Sequence, residues 1–204
     1  MLYITGAHVV VADIDDKGTF GTVEACNDIR PNSAVAVHCD VTKREDLQEA
    51  IVAGKSHFGK DLDIMVNNAG IAVHGDEMSH PAKWKKMVQI NLVAVIEGSH
   101  LAIEAMQAKE KPGGVILNIA SMAGIYPQYL TPVYSAVKSG VAMFTRSLKQ
   151  LEQSNIRVVA LAPNFVETPI IQGIRDVRLS DGSHNTIFWL APFLYTTSPS
   201  MRSS

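Results

Sequence analysis

Short apolar runs alternate with longer segments of helical spacing along the chain. Each run is almost continuously apolar, which is typical of a strand that helices cover on both faces and not of a strand with one solvent face. The runs predict five strands, at residues 8–14, 34–38, 62–66, 115–119 and 157–161.

Three of the segments between these runs predict helices. The first, residues 42–58, begins with Thr42 as a predicted cap and carries Leu47, Ile51 and Val52 at helical spacing. Longer helices are predicted at 82–109, which ends before a Pro-Gly-Gly turn, and at 133–153. Strands and helices in alternation predict an α/β fold, a Rossmann-like doubly wound parallel sheet flanked by helices.

Composition and charge narrow the classes of partner. The chain has 204 residues, 47% of them hydrophobic, and a formal net charge of −2. It is therefore long enough for one sizeable core, and it has no positive field to attract nucleic acid or anionic lipid. With no basic and apolar leader and no run of roughly 18 apolar residues, a cytoplasmic protein without membrane contact is expected.

Cysteine and histidine usage adds little chemistry. Cys26 and Cys39 could pair, but reduced thiols are the expected state in a cytoplasmic chain. The 7 histidines show no paired spacing, so no metal site is expected. A single domain is predicted over residues 1–178. Residues 179–204, with Ser, Thr and Pro among isolated aromatics, are predicted to be an irregular tail.

The strongest chemical signal is a tyrosine and a lysine one helical turn apart. Tyr134 and Lys138 share a helix face, and Ser121 precedes them at the end of a predicted strand. An ammonium beside a phenol favours the phenolate, so Lys138 is expected to lower the pKa of Tyr134. Tyr134 then becomes a candidate acid/base for an alcohol proton, and the Ser121 hydroxyl can bind the same substrate oxygen.

Other motifs precede and follow Ser121, Tyr134 and Lys138 in the sequence. Asn67-Asn68-Ala69-Gly70 follows the strand at 62–66, Asn91 lies in the helix at 82–109, and Pro163-Asn164 through Thr168 follows the strand at 157–161. In order and spacing, this set resembles the short-chain dehydrogenase/reductase family from about residue 8 to residue 170. The resemblance implies that Tyr134 is the acid/base, that Lys138 also holds the nicotinamide ribose, and that Ser121 orients the substrate oxygen. It implies that Asn91 supports a proton-relay water beside the lysine.

The resemblance also implies a dinucleotide site. Asp40 and Val41 match the pair that flanks the adenine ring. Asn67, Ala69 and Gly70 match the segment beside the adenosine, which also stabilises the sheet. For Asn68 a purely structural role is as good an interpretation. Thr168 matches a contact to the nicotinamide amide, although Pro163-Asn164 replaces the usual Pro-Gly. Asp13 ends its strand where a carboxylate accepts bonds from the adenosine ribose and repels a 2'-phosphate, so NAD is expected over NADP.

One part of the family pattern is missing. Thr5-Gly6 is followed at once by residues 7–13, with no Gly-x-x-x-Gly-x-Gly turn. Thr5-Gly6 is either a stub of that turn or a lead into the second strand. The fold is thus expected to lack its first strand, Gly-rich turn and first helix, and also its last strand, as in a truncated or alternatively spliced form. Residues 7–14 could instead slide into the vacant strand position, where Asp13 would repel the pyrophosphate.

Two main functions follow from the resemblance. Residues 84–96, Pro132-Val133-Tyr134 and Phe144-Thr145-Arg146-Ser147 resemble the 15-hydroxyprostaglandin dehydrogenase group, although Thr131 replaces that group's glutamine. The first function is an NAD-dependent oxidoreductase that interconverts a secondary alcohol and a ketone, in a homo-oligomer formed through the two long helices. The second is a catalytically inactive truncated form that binds full-length relatives through those helices. A third interpretation is a chain that does not fold stably alone.

Overall fold

The computed structural model of the protein describes residues 6–73 and 77–164. Strands alternate with helices, which confirms the predicted α/β class. The strands are β1 (Val9–Asp13), β2 (Ala34–His38), β3 (Ile64–Asn67), β4 (Gly114–Ile119) and β5 (Ile156–Leu161). The helices are α1 (Asp16–Ile29), α2 (Arg44–Phe58), α3 (Pro81–Val88), α4 (Ala94–Gln107) and α5 (Pro132–Ser147). A π-helical turn spans Gln89–Val93, and 3₁₀ turns span Met122–Gly124 and Lys149–Ser154.

The helices differ from the predictions in four places. Helix α1 was not predicted, because Gly18 and Gly21 lower the helix propensity of that segment. The predicted helix 82–109 contains the π turn, and the helix predicted at 133–153 ends at Ser147. The predicted Thr42 cap is wrong: the hydroxyl of Thr42 donates to Asp40 Oδ1 at 2.7 Å, and α2 begins two residues later.

The strands form two parallel sheets, β1–β2 and β3–β4–β5. Strands β1 and β3 are not hydrogen-bonded to each other, and residues 6–73 and 77–164 place no strand between them. In a complete Rossmann-like sheet a further strand lies between these two positions. Strand β1 keeps its pairing with β2, with Asp13 opposite His38, so the alternative in which it slides beside β3 is not observed.

Helices α2 and α4 join the two sheets. Helix α2 packs on β1 and β2, helix α4 packs on β3 and β4, and the two helices contact each other. Leu47 of α2 and Leu101 of α4 share a buried cluster with Cys39 at the end of β2. Arg44 and Glu97 add an ion pair across the same contact. The two sheets are therefore connected through helix packing, not through strand pairing.

The two faces of the β3–β4–β5 sheet differ in burial. Ile116 and Ile156 are fully buried on the face that α4 and α5 cover. Ile64 and Leu161, which lie on the opposite face by strand alternation, are 43% and 47% exposed. In the described part of the chain, this second face is open to solvent. The candidate catalytic residues lie beyond the carboxyl ends of the strands.

Three further findings concern membrane spans, the cysteines and metal ligands. No helix of the described residues has the length and apolar character that a bilayer span requires. Cys26 and Cys39 are buried free thiols. Among the described residues, no three side chains of the His, Cys, Asp or Glu type are grouped as metal ligands.

Candidate active site

Ser121, Tyr134 and Lys138 meet beyond the carboxyl end of β4. Ser121 caps the 3₁₀ turn that follows β4, and its Oγ accepts a hydrogen bond from the backbone N–H of Ala123 at 3.1 Å. Tyr134 lies in the first turn of α5 and is hydrogen-bonded to Ser121 through its side chain. The Nζ of Lys138 is 5.8 Å from the centre of the Tyr134 ring. The structure therefore brings the three sequence-predicted residues together.

The 3₁₀ turn is held tightly against α5. A Cβ atom at Gly124 would lie 2.5 Å from the backbone carbon of Lys138 and 2.7 Å from the backbone nitrogen of Ser139. The Ser139 hydroxyl donates to the carbonyl of Gly124 at 2.6 Å. On the other side, the N–H of Met122 donates to the carbonyl of Pro163 at 3.0 Å. This packing sets the position of Ser121 relative to Tyr134.

The electrostatics of Tyr134 and Lys138 are dominated by burial. Burial raises the pKa of Tyr134, and the hydrogen bond with Ser121 opposes that rise. Burial lowers the pKa of Lys138 to about 8, while its Nζ donates to the carbonyl of Ile119 at 2.7 Å. The prediction that Lys138 lowers the phenol pKa is wrong for this structure. Burial of the phenol is the main cause of the rise, and the Lys138 ammonium, which burial also destabilises, does not reverse it.

Asn91 connects the π turn to the loop after β3. Its side chain is fully buried; Nδ2 donates to the carbonyl of Ile71 at 2.8 Å, and Oδ1 accepts from the N–H of Ile71 at 2.9 Å. Gly70 lies beside it, where a Cβ would be 3.6 Å from Asn91 Oδ1. A π turn of this kind is often found at functional sites. Asn91 thus fixes the loop that borders the site, and its role with a relay water stays a prediction.

A buried polar network lies behind the site. Asn67 Nδ2 donates to Asn118 Oδ1 at 2.8 Å and to Ser99 Oγ at 3.1 Å, and Asn118 Nδ2 donates to Thr145 Oγ1 at 3.0 Å. These bonds join β3, β4, α4 and α5. The sequence reasoning included Asn67 but missed the other three. An asparagine in the middle of the apolar run of β4 was the signal that could have found them.

Asn118→Ala is expected to destabilise the fold by about 2–3 kcal/mol, because it removes the buried hydrogen bonds of Asn118 with Asn67, Ser99 and Thr145. For a chain of this size that corresponds to a melting temperature lower by about 5–10 °C. Thr145→Val, which removes a single hydroxyl at the end of the network, is the matched control and should have a smaller effect. Thermal denaturation followed by circular dichroism measures both. Equal melting temperatures for wild type and Asn118→Ala would show that the network contributes no net stability.

The residues predicted for the adenosine half lie at the ends of β1, β2 and β3. Asp13 is exposed, and its Oδ1 accepts from the N–H of Asp15 at 3.0 Å. Asp40 accepts from the hydroxyl and the N–H of Thr42, and these bonds lower the pKa of Asp40. Val41 is half-buried and packs against the Leu47–Leu101 cluster, and Ala69 is exposed. Thr168 lies outside the described residues.

Some of these side chains could hold parts of a dinucleotide. Tyr134 and Lys138 carry donor groups that a ribose could accept, and the exposed Asp13 carboxylate, whose Oδ1 accepts from the N–H of Asp15, could also accept from ribose hydroxyls. Residues 6–73 contain no Gly-x-x-x-Gly-x-Gly turn that would bind a pyrophosphate.

Comparisons with known proteins identify the family. The family model for short chain dehydrogenase matches residues 1–178. The chain is 36% identical to 15-hydroxyprostaglandin dehydrogenase [NAD(+)] of Bos taurus, over 85% of this chain and 64% of that protein. It is also 36% identical to trans-4-hydroxycyclohexanecarboxylate dehydrogenase of Sinomonas cyclohexanicum, over 83% of this chain and 67% of that protein.

A solved structure supports the fold. The chain superposes on a short-chain type dehydrogenase/reductase from Mycobacterium marinum with a TM-score of 0.79 at 23% identity, over 87% of this chain and 70% of the other. At this identity the likeness concerns the fold alone. The chain spans about two thirds of the length of these relatives, for example 64% of the bovine protein.

Proposed function

Because the chain belongs to the short-chain dehydrogenase family, we propose that it is an NAD-dependent oxidoreductase that interconverts a secondary alcohol and a ketone. The observation that carries the proposal is the Tyr134 phenol, hydrogen-bonded to Ser121 and flanked by Lys138 in a half-buried setting. The relatives support it, since their names denote NAD(+)-dependent or hydroxy-compound dehydrogenases. The compound that this chain acts on is not specified by those names.

Each residue of the triplet has a distinct role in the proposed reaction. The substrate oxygen accepts a hydrogen bond from Ser121, which opposes the charge that develops on it. Tyr134 donates its proton to that oxygen in ketone reduction and removes it in alcohol oxidation. Lys138 would hold the nicotinamide ribose together with Tyr134, and Asn91 would keep a relay water beside the lysine. NAD, when bound, supplies the hydride acceptor.

The adenosine end sets the choice of cofactor. Asp13 would accept hydrogen bonds from the adenosine ribose, with Asp40 and Val41 beside the adenine and the segment of Asn67, Ala69 and Gly70 next to it. An exposed carboxylate at this position repels a 2'-phosphate, so NAD is preferred over NADP. Thr168 would contact the nicotinamide amide.

The rate of alcohol oxidation is expected to rise with pH. Because burial raises the pKa of Tyr134, the phenol is protonated at neutral pH, and the reactive phenolate fraction grows about tenfold per pH unit. The pKa of Lys138 is about 8, so above that pH the ammonium is lost and the rise becomes shallower. Ketone reduction uses the protonated phenol and should stay nearly constant over the same range. Initial rates in both directions from pH 6 to 9 measure this, and an oxidation rate that falls with pH would contradict it.

The direct test is reduction of NAD by a panel of secondary alcohols. The purified chain, NAD and alcohols that differ in size and in ring or chain structure are followed by the absorbance of the reduced nicotinamide. The proposal expects turnover with NAD for at least one alcohol and a lower rate with NADP. No turnover in either direction, with a folded protein that melts cooperatively, would reject it.

A second function is favoured by two observations. The described residues lack a pyrophosphate turn, and apolar side chains of the two long helical segments are exposed: Val93 and Ile96 at 40%, and Met143 at 58%. These faces support the alternative of an inactive partner that binds longer relatives, and equally a homo-oligomer of the active form. Calorimetric titration with NAD separates the two functions, because binding heat supports the enzyme, whereas absence of NAD binding with retained association with a longer relative supports the partner.

A further inference from the structure

A buried carboxylate lies at the start of α5, outside the catalytic triplet. Glu77 belongs to the segment between β3 and α3 and is 1% exposed. Its Oε2 accepts from the backbone N–H of Val133 at 2.7 Å and from the N–H of Tyr134 at 3.3 Å. The two bonded amides belong to the second and third residues of α5, which begins at Pro132. Glu77 therefore caps α5 from a distant part of the chain.

Helix α5 has no cap of its own. Its N-cap residue, Thr131, makes no side-chain cap hydrogen bond, and the first turn contains no acidic residue. The N–H groups at a helix start otherwise lack partners, and a negative charge there also interacts favourably with the helix dipole. A capping side chain normally comes from the residue just before the helix. Here it comes from a residue 56 positions earlier.

Burial of the Glu77 carboxylate does not by itself favour folding. The second oxygen, Oε1, is buried and finds no hydrogen-bond partner among the described residues. A buried charged group with an unpaired oxygen is unfavourable for folding unless something else is gained. The two amides that it does bind include that of the residue whose phenol faces Ser121.

We infer that Glu77 is a positioning residue: by holding the amides of Val133 and Tyr134, its carboxylate fixes the first turn of α5 and with it the Tyr134 phenol opposite Ser121. The inference rests on the proposed function for its catalytic consequence. The structural consequence, the orientation of Tyr134, does not depend on it. A small displacement of a reacting group is enough to reduce the rate strongly, because the proton must pass over hydrogen-bond distance.

The test compares Glu77→Ala, Glu77→Gln and a matched control. Gln keeps an oxygen that can accept both amide bonds, whereas Ala removes it. The control is Asn27→Ala, because Asn27 Oδ1 also accepts two backbone N–H groups, of Ser33 at 2.9 Å and Ala34 at 3.0 Å, but between α1 and β2. Each variant is assayed for kcat and KM, for its melting temperature, and for the ¹³C resonance of the Tyr134 ζ carbon, assigned with Tyr134→Phe.

Glu77→Ala is expected to lower kcat by about tenfold to a hundredfold with little change in KM, and to shift or split the Tyr134 resonance. Glu77→Gln should recover most of kcat and the wild-type resonance. Asn27→Ala should lower only the melting temperature. The inference is overturned if Glu77→Ala behaves as Asn27→Ala does, with a lower melting temperature but unchanged kcat and resonance. If the wild type has no dehydrogenase activity, the proposed function fails, and the Tyr134 resonance still decides on Glu77.

Discussion

Tyr134→Phe is expected to lower alcohol oxidation and ketone reduction by about 10²–10⁴-fold. The hydroxyl that the substitution removes is the group that exchanges a proton with the substrate and bonds to Ser121. The ring itself stays, so the packing of α5 is kept and the melting temperature should change by no more than about 2 °C. Steady-state rates and a thermal melt measure the two effects on the same sample.

Tyr126→Phe is the matched control for this prediction. Tyr126 follows the same 3₁₀ turn, but its side chain is 51% exposed, so loss of its hydroxyl should leave the rate unchanged. The role of Tyr134 is contradicted if both variants keep the wild-type rate. A large loss in both variants would point to a general effect on the turn and not to a proton transfer.

The second large effect is expected at Gly124. In Gly124→Ala the new Cβ would lie 2.5 Å from the carbonyl carbon and 2.6 Å from the carbonyl oxygen of Lys138. Both are backbone atoms of α5 and cannot rotate away, so the turn and the helix must separate. We expect a loss of about 2–3 kcal/mol, a melting temperature lower by about 5–10 °C, and a kcat lower by about tenfold or more.

Gly21→Ala is the control for the glycine substitution. Gly21 lies within α1, and a Cβ there would meet nothing within 4 Å. Alanine favours a helix over glycine by up to about 1 kcal/mol, so this variant should be as stable as the wild type or slightly more stable. If Gly124→Ala melts like Gly21→Ala and retains full activity, the tight packing of the Ser121 turn has no functional consequence.

The strands and the placement of Tyr134 and Lys138 on one helix face were predictable because their signals are local. Each strand is a short apolar run, and Tyr134 and Lys138 are four positions apart on one helix. Helix α1 was missed because two glycines weaken its pattern. The Thr42 cap was mispredicted because Asp40, two residues away, competes for the Thr42 hydroxyl.

The remaining features depend on contacts between distant parts of the chain. In the sequence, Asn118 is only a polar residue within an apolar strand; the fold shows that it bonds to Asn67, Ser99 and Thr145. Glu77 likewise accepts a hydrogen bond from a backbone amide 56 positions later. The direction of the Tyr134 pKa was mispredicted for a similar reason. Spacing reveals the neighbouring lysine, but only the folded chain reveals how strongly both groups are desolvated.

The split sheet divides the proposed site into two parts. Ser121, Tyr134 and Lys138 are held by the β3–β4–β5 sheet and α5, whereas Asp13 and Asp40 belong to the β1–β2 sheet. The polar network and the Gly124 contact both lie in the first part. The proposed proton transfer therefore depends on the β3–β4–β5 sheet and α5, whereas the proposed cofactor contacts depend on both sheets.

Transfer of deuterium from substrate to cofactor is the decisive test of hydride transfer with Tyr134 as the acid/base. The purified chain is incubated with NAD and secondary alcohols that carry deuterium on the carbinol carbon, and the reduced cofactor is analysed by mass spectrometry. We expect the deuterium to appear in the reduced nicotinamide with the wild-type chain and to be almost absent with Tyr134→Phe. Reduced cofactor without deuterium, or equal labelling by both proteins, would contradict it.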